Sequence, residues 1–428
     1  MRRHKMGLWL KSTKTIMRIM SIALLVSFWL SSLAQPERVQ LDIQKHFGVP
    51  QPRMLFSTDQ RIYFGEIGLM LARLFLSQNG KYFYISLYNT CNIPIFCYNN
   101  NGQLMSSFDV SKKAKSVYGD NDEDSHVWVV LESLFDDDKL CVLVKQEHKK
   151  ERKVKIVDDR LFTEYKYSLK FLVFTPYGKV DEKSTNKLNR MVEKLNNDII
   201  NNEQIYEQLS RLGLDRMIIN NKNNTIDLFS VYLGGFSNLR IFQDGTYSIT
   251  EKAFEFEVNQ RPIVDPQGNI IAFIHEKQTN EIMIKIFIHD REYKHIDEIK
   301  IKIEKTMTRH ILPVIAAVTV DARGHFFIAF PIKESPLPAS EWQIATWEDA
   351  NLVVKYPGYI VYEFDPSGQL IGPRAILQTI QDLKHHASED YDINKTRFIL
   401  DNQWNLYYLY YQPDSTQIWM VPSSRNAK

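Results

Sequence analysis

One pattern constrains this chain more than any other: a short apolar strand, a polar turn and a second apolar strand, repeated along its length. Arg261-Pro-Ile-Val-Asp265 runs into Pro-Gln-Gly268 and then "NIIAFI". Matching units open at Arg73, Glu132, Arg216, Ala317 and Arg397, six copies in all, with no gap in the first strand. Most continue into a third strand that ends in another polar turn, as in "YIVYEFDPSGQL". Asp or Asn ahead of Gly supplies the acceptor and the permissive φ that a tight hairpin needs. Val, Ile, Tyr and Phe on either side suit pleated sheets packed on both faces. A unit of three strands with a variable fourth cannot bury its own faces, so such units are stable only when stacked on one another.

Six small antiparallel sheets around an axis satisfy that requirement and leave only short edges. The sequence therefore predicts an all-β fold, a six-bladed β-propeller formed as a single domain by residues 35–428. At "IVDPQGNI" and "YEFDPSGQL" the chain resembles NHL-type and TolB-like six-bladed β-propellers, whose strands close in Asp-x-x-Gly turns. That resemblance implies a propeller over nearly all of the mature chain. The second and third copies lack the turn glycine and the spacing is irregular, which leaves a seven-bladed or incomplete ring open.

One segment departs from strand spacing. Over Ser184–Gly213, Leu188, Met191, Val192, Leu195 and Ile199 recur at helical intervals, followed by Ile205, Leu209 and Leu212. This predicts a helical insert over 183–213, between the second and third blades, with Ser184 or Thr185 as N-cap and Gly213 just past the end. The insert is read as a helix packed on a propeller face, with a lid or partner-binding role as the alternative.

The N-terminus reads as a secretory signal over residues 1–34. Arg2, Arg3, Lys5, Lys11, Lys14 and Arg18 precede a largely apolar run, Ile19–Leu30, and Ser32 and Ala34 are the small residues at its exit. That run is shorter than the ~20 residues that span a bilayer. The expected location is periplasmic or secreted, with no transmembrane segment after cleavage. Three cysteines do not make a disulfide framework. Cys91 and Cys97 are placed to close a small loop, and Cys141 reads as a buried thiol.

Charge excludes one class of partner. A net charge of +2 offers no global basic field, so nucleic acid is not expected. The repeat exposes one constellation instead: Arg73, Glu132, Arg216, Arg261 and Arg397 share the first position of the innermost strand, with Ala317 in the fifth copy. Guanidinium groups gathered at a channel mouth suit carboxylate, sulfate or phosphate. The bland alternative is that each arginine merely pairs within the blade interface. His275, His289, His295, His310 and His325 fall at differing registers, and His385–His386 reads as a loop pair. The acidic run Asp120–Ser125 lacks the glycine and terminal glutamate of a calcium loop. No metal site and no cofactor are expected, and no nucleophile elbow or phosphate loop occurs.

These features favour an exported, non-catalytic propeller that binds a protein partner or a small anionic ligand at the channel mouth. The alternative is a hydrolase or lyase acting on an acidic sugar or related anion, with Glu132 as the only in-register acid or base.

Overall fold

The computed structural model describes most of residues 49–423; the longest internal stretches outside the description are 59–71, 88–94, 119–126, 304–310, 332–358 and 378–397. The proposed leader, Cys91, His310, Asp120–Ser125, His385–His386 and Arg397 lie outside the described residues. All elements named below belong to Pro50–Lys428.

The first strand, β1 (Arg53–Thr58), does not begin the first blade. That blade is β2 (Ala72–Leu76), β3 (Tyr82–Leu87), β4 (Ile95–Asn99) and β5 (Leu104–Phe108), followed by helix α1 (Val110–Tyr118). The second has three strands, β6 (Val127–Phe135), β7 (Lys139–Val157) and β8 (Arg160–Phe174), and then come helices α2 (Glu182–Asn201) and α3 (Glu203–Ser210). The third runs β9 (Arg216–Asn220), β10 (Thr225–Tyr232), β11 (Gly235–Phe242) and β12 (Tyr247–Ala253). The fourth is β13 (Gln260–Val264), β14 (Ile270–Gln278), β15 (Glu281–His289) and β16 (His295–Ile303). The fifth is β17 (Ala317–Val320), β18 (Phe326–Pro331), β19 (Tyr359–Phe364) and β20 (Leu370–Leu377). The sixth combines β21 (Phe398–Leu400), β22 (Leu406–Tyr411) and β23 (Thr416–Val421) with β1, which pairs antiparallel with β23 as the outermost strand. The fold is a six-bladed β-propeller whose ring is closed by joining the two ends of the domain in one sheet.

Apolar layers fill the blade junctions. Phe56, Leu74, Leu76 and Phe83 pack with Tyr407, Leu409 and Ile418 between the sixth and first blades. Tyr84, Cys97 and Phe108 pack with Leu140, Val142, Leu172 and Phe174 between the first and second. Burying a side chain of this size contributes about 1.5–3 kcal/mol, so each junction is a substantial fraction of the net stability.

The helical spacing over Ser184–Gly213 resolves into α2 and α3, and its outcome corrects two expectations. Leu188, Met191, Val192, Leu195 and Ile199 are buried against the second and third blades. The N-cap is Asp181, not Ser184 or Thr185; its carboxylate accepts from the Ser184 N–H at 3.3 Å. Thr185 instead turns inward and accepts from the Val173 N–H at 3.0 Å. Arg211 caps α3, and Gly213 is not left-handed. α2 covers β8, the outer strand of the three-stranded sheet. Asn189 and Asn196 each exchange two hydrogen bonds with the main chain of that edge, at Phe171 and Leu169. Helical amides thus satisfy donors and acceptors that a fourth strand would otherwise take.

Candidate functional site

Side chains of an innermost strand alternate between the preceding and the following blade. Leu74, Met217 and Phe398 face backward, packing against the sixth, second and fifth blades. Ala317, at the position that opens each repeat, faces forward into the fifth–sixth junction. Arg216 pairs in the ladder with Phe229, which packs forward against Val264 and Ile270 of the fourth blade. Arg73 pairs with Ser86. Arg261 lies where the pairing of β13 and β14 is irregular, between Gln260 and Ile263.

Glu132 is out of step. In the second copy Phe135 pairs with Lys139, so Phe135 takes the place that Asp265 holds in the fourth. The whole strand is displaced by one residue relative to the sequence alignment, and a shift of one reverses the face. Glu132 consequently looks back at the first blade, where it is buried and accepts the hydroxyl hydrogen of Ser86. The rung that holds Arg73 and Ser86 on one blade therefore meets Glu132 on the next.

The forward face of the third blade carries a polar network absent from the sequence reading. Asp227 is fully buried on β10. It accepts Nε of Arg240 at 2.7 Å, Nη1 of Arg291 at 2.9 Å and Nδ2 of Asn238 at 3.2 Å. Arg240 and Asn238 come from β11 of the same blade, whereas Arg291 reaches across from the β15–β16 turn of the fourth. Nη2 of Arg291 also donates to the Gln267 carbonyl at 2.5 Å, tying this turn to the first hairpin of its own blade. Two guanidinium groups on one buried carboxylate leave the junction with excess positive charge, partly countered by exposed Glu292, 3.7 Å from Arg240. Ladder pairing through Phe229 places Arg216 and Asn238 on this same face.

A second latch joins the fifth and sixth blades. Trp404 occupies the position that glycine holds in the fourth and fifth hairpins, with φ of 59°. Its indole N–H donates to Asp321 at 3.1 Å, and the Arg323 guanidinium lies 3.8 Å above its ring. Buried Arg374 donates to the Trp404 carbonyl at 2.5 Å and to that of Pro422 at 2.9 Å. Nearby, His325 Nδ1 lies 3.0 Å from buried Glu363.

The remaining candidates are dispersed. His289 is buried, stacked on Tyr293 with centroids 4.4 Å apart, and its Nδ1 has no hydrogen-bond partner. Burial, helped by His295, lowers its pKa. Cys97 is a buried free thiol whose pKa burial pushes up to about 12, and Cys141 is likewise buried and free. Among the described residues, no group of three or more His, Cys, Asp or Glu is arranged to hold a metal. Nor is any described helix long and apolar enough to cross a membrane.

No protein-family model and no curated protein match this chain. Similar solved structures include a catalytically inactive virginiamycin B lyase from Staphylococcus aureus with quinupristin, at 11% identity and TM-score 0.35, over 87% of this chain and 98% of that one. A gluconolactonase from Xanthomonas campestris is similar at 12% identity and TM-score 0.31, over 87% of this chain and 96% of that one. The Dos1 propeller is similar at 8% identity and TM-score 0.32, over 85% of this chain and 81% of that one.

Proposed function

We propose that the protein is an exported, non-catalytic propeller of the NHL-type or TolB-like kind that holds a small anionic ligand at its channel mouth, gripped by Arg73, Arg216, Arg261 and Arg397. The observation that carries this reading is the commitment of Glu132. It is the one carboxylate that the repeat in the sequence set beside the arginines, and in the structure it is buried in a blade junction accepting the Ser86 hydroxyl hydrogen. A group so held is poorly placed to move a proton on a substrate. Asp227 and Glu363 are engaged in the same way, by Arg240 and Arg291 and by His325. Guanidinium groups bind and orient carboxylate, sulfate or phosphate through planar, bidentate donors.

The test is thermal unfolding with sulfate, phosphate and glucuronate as probes. A ligand of the native state at one hundred times its Kd stabilises by about 2.7 kcal/mol. Joint reversal of Arg261 and Arg397 to Glu should abolish the shift, whereas Lys252→Glu on an outer strand should preserve it. Equal losses at both places would remove the inner strands as the site. Turnover of an acidic sugar that Glu132→Gln destroys would establish the catalytic reading instead.

A further inference from the structure

The chain contains two Asn-Gly steps, Asn79–Gly80 and Asn101–Gly102. They occupy neighbouring hairpin turns of the first blade, between β2 and β3 and between β4 and β5. The two turns share one geometry. The Gly80 N–H donates to the Ser77 carbonyl at 2.8 Å, and the Gly102 N–H donates to the Asn99 carbonyl at 3.0 Å. Both glycines are left-handed, with φ of 68° and 78°. A main-chain hydrogen bond from the Asn100 N–H to the Lys81 carbonyl, 3.0 Å long, joins one turn to the other.

The asparagine side chains differ. Oδ1 of Asn79 accepts the Ser77 hydroxyl hydrogen at 2.8 Å and the Lys81 N–H at 3.0 Å. In the second turn that role falls to Asn99, whose Oδ1 accepts the N–H groups of Asn101 at 3.0 Å and Gln103 at 2.9 Å. Asn101 is exposed, and its side-chain amide has no hydrogen-bond partner among the described residues. An asparagine before glycine sets an electrophilic amide carbon beside a main-chain nitrogen that no following Cβ shields.

We propose that Asn101 is a site of spontaneous deamidation in the folded protein, and that Asn79 is held back from the same reaction. The Gly102 main-chain nitrogen loses its proton to a base in solvent and forms a bond to Cγ of Asn101. The Cγ–Nδ2 bond breaks and ammonia leaves. Water then opens the cyclic imide at either carbonyl, giving aspartate or isoaspartate with no change of oxidation state. Both steps give up the same turn hydrogen bond. Only Asn79 must also part from two side-chain donors before its amide can swing toward the glycine nitrogen.

The consequence reaches the closure of the ring. A Cβ placed on Gly102 would lie 2.3 Å from Cβ of Phe56, so the main chain of this turn rests directly on β1. Phe56 is buried between the sixth and first blades, with ring centroids 5.6 Å from Phe83 and 5.5 Å from Tyr98. Isoaspartate adds a methylene to the main chain at this contact, where close packing leaves no room for it. The site is independent of the anionic ligand proposed for the inner strands.

The experiment ages the full chain in mildly alkaline buffer, folded or in urea, and maps its peptides by mass spectrometry. In urea the two steps should convert at equal rates. In the folded protein Asn101 should convert about tenfold faster than Asn79, the ratio produced by about 1.4 kcal/mol on a barrier. The melting temperature should fall as isoaspartate accumulates, and that of Asn101→Gln should hold steady over the same time. Equal rates in the folded protein, faster conversion at Asn79, or conversion of Asn101 in urea alone overturns the proposal. A melting temperature that ignores the isoaspartate content removes the link to β1.

Discussion

Asn189 and Phe171 exchange two hydrogen bonds: the strand N–H donates to Oδ1 at 2.8 Å, and Nδ2 donates back to the strand carbonyl at 3.0 Å. One helical turn pair further on, Asn196 does the same for Leu169, at 2.7 and 2.9 Å. The two amides stand seven residues apart on α2, two full turns, and so project from one stripe toward alternate residues of β8.

Removing an amide from this ladder strands main-chain groups at a covered sheet edge. Asn189→Ala and Asn196→Ala should each cost about 1–3 kcal/mol in urea unfolding. Asn197→Ala, on the exposed side of the same helix, should stay within about 0.5 kcal/mol. Equal small effects at all three positions would mean that the edge is satisfied by other means.

The Asp227 junction should be more sensitive. Asp227→Ala leaves Arg240 and Arg291 facing an empty carboxylate site, a loss of about 3–5 kcal/mol for a broken buried pair. Arg291→Met made in the Asp227→Ala background should cost far less than in the parent, and a double-mutant cycle on urea midpoints reads that coupling.

Trp404 bears a left-handed backbone, φ 59°, at a cost of about 1–3 kcal/mol for a residue with a Cβ. Trp404→Gly relieves that strain but loses the Asp321 hydrogen bond and the stacked Arg323; Trp404→Ala loses the contacts and keeps the strain. Melting temperatures should therefore fall in the order parent, Gly, Ala. An alanine variant as stable as the glycine variant contradicts the strain account.

Two groups set opposite ends of the pH profile. Asp181, held by Lys139 and by Ser184 at the start of α2, has its pKa lowered to about 2. A depressed carboxylate stabilises the fold fully above its unfolded value of about 3.9, and that contribution fades as pH falls toward about 2. Asp181→Asn should flatten melting temperature against pH over that interval.

His289 acts in the window above. Burial lowers its pKa, so the folded state favours the neutral ring and the unfolded state binds the proton more readily. Its contribution is complete above the unfolded value of about 6.5 and is lost progressively below it. His289→Phe should remove the decline in melting temperature just below about pH 6.5. A decline that persists unchanged places its origin elsewhere.

Much of the architecture was legible in the chain. Turn aspartates at 265, 321 and 401, with strands on either side, set the hairpins because local backbone chemistry selects them, and those hairpins fold as read. The buried stripe of α2 was legible for the same reason, its period being that of the helix. Glu132 was misplaced because its phase depends on which residues close the turn; Phe135 and Lys139 pair where the pattern suggested Asp136. The Asn189–Asn196 ladder and the Asp227 network carried no signal, since an amide on a helix and an acid on a strand look the same whether solvated or spent on a neighbour.

Spacing between residues close in the chain thus set the repeating unit and the helical face, whereas the count of six blades, which irregular spacing had left open, came from the sheets themselves. Only the tertiary structure decided which polar groups meet. Blade junctions bring together residues such as Asp227 and Arg291, or Asp321 and Trp404, that lie tens of positions apart. A one-residue change of register moves such a group to the other face of its sheet. Periodicity is blind to that choice, because contacts across a junction depend on how whole sheets are stacked.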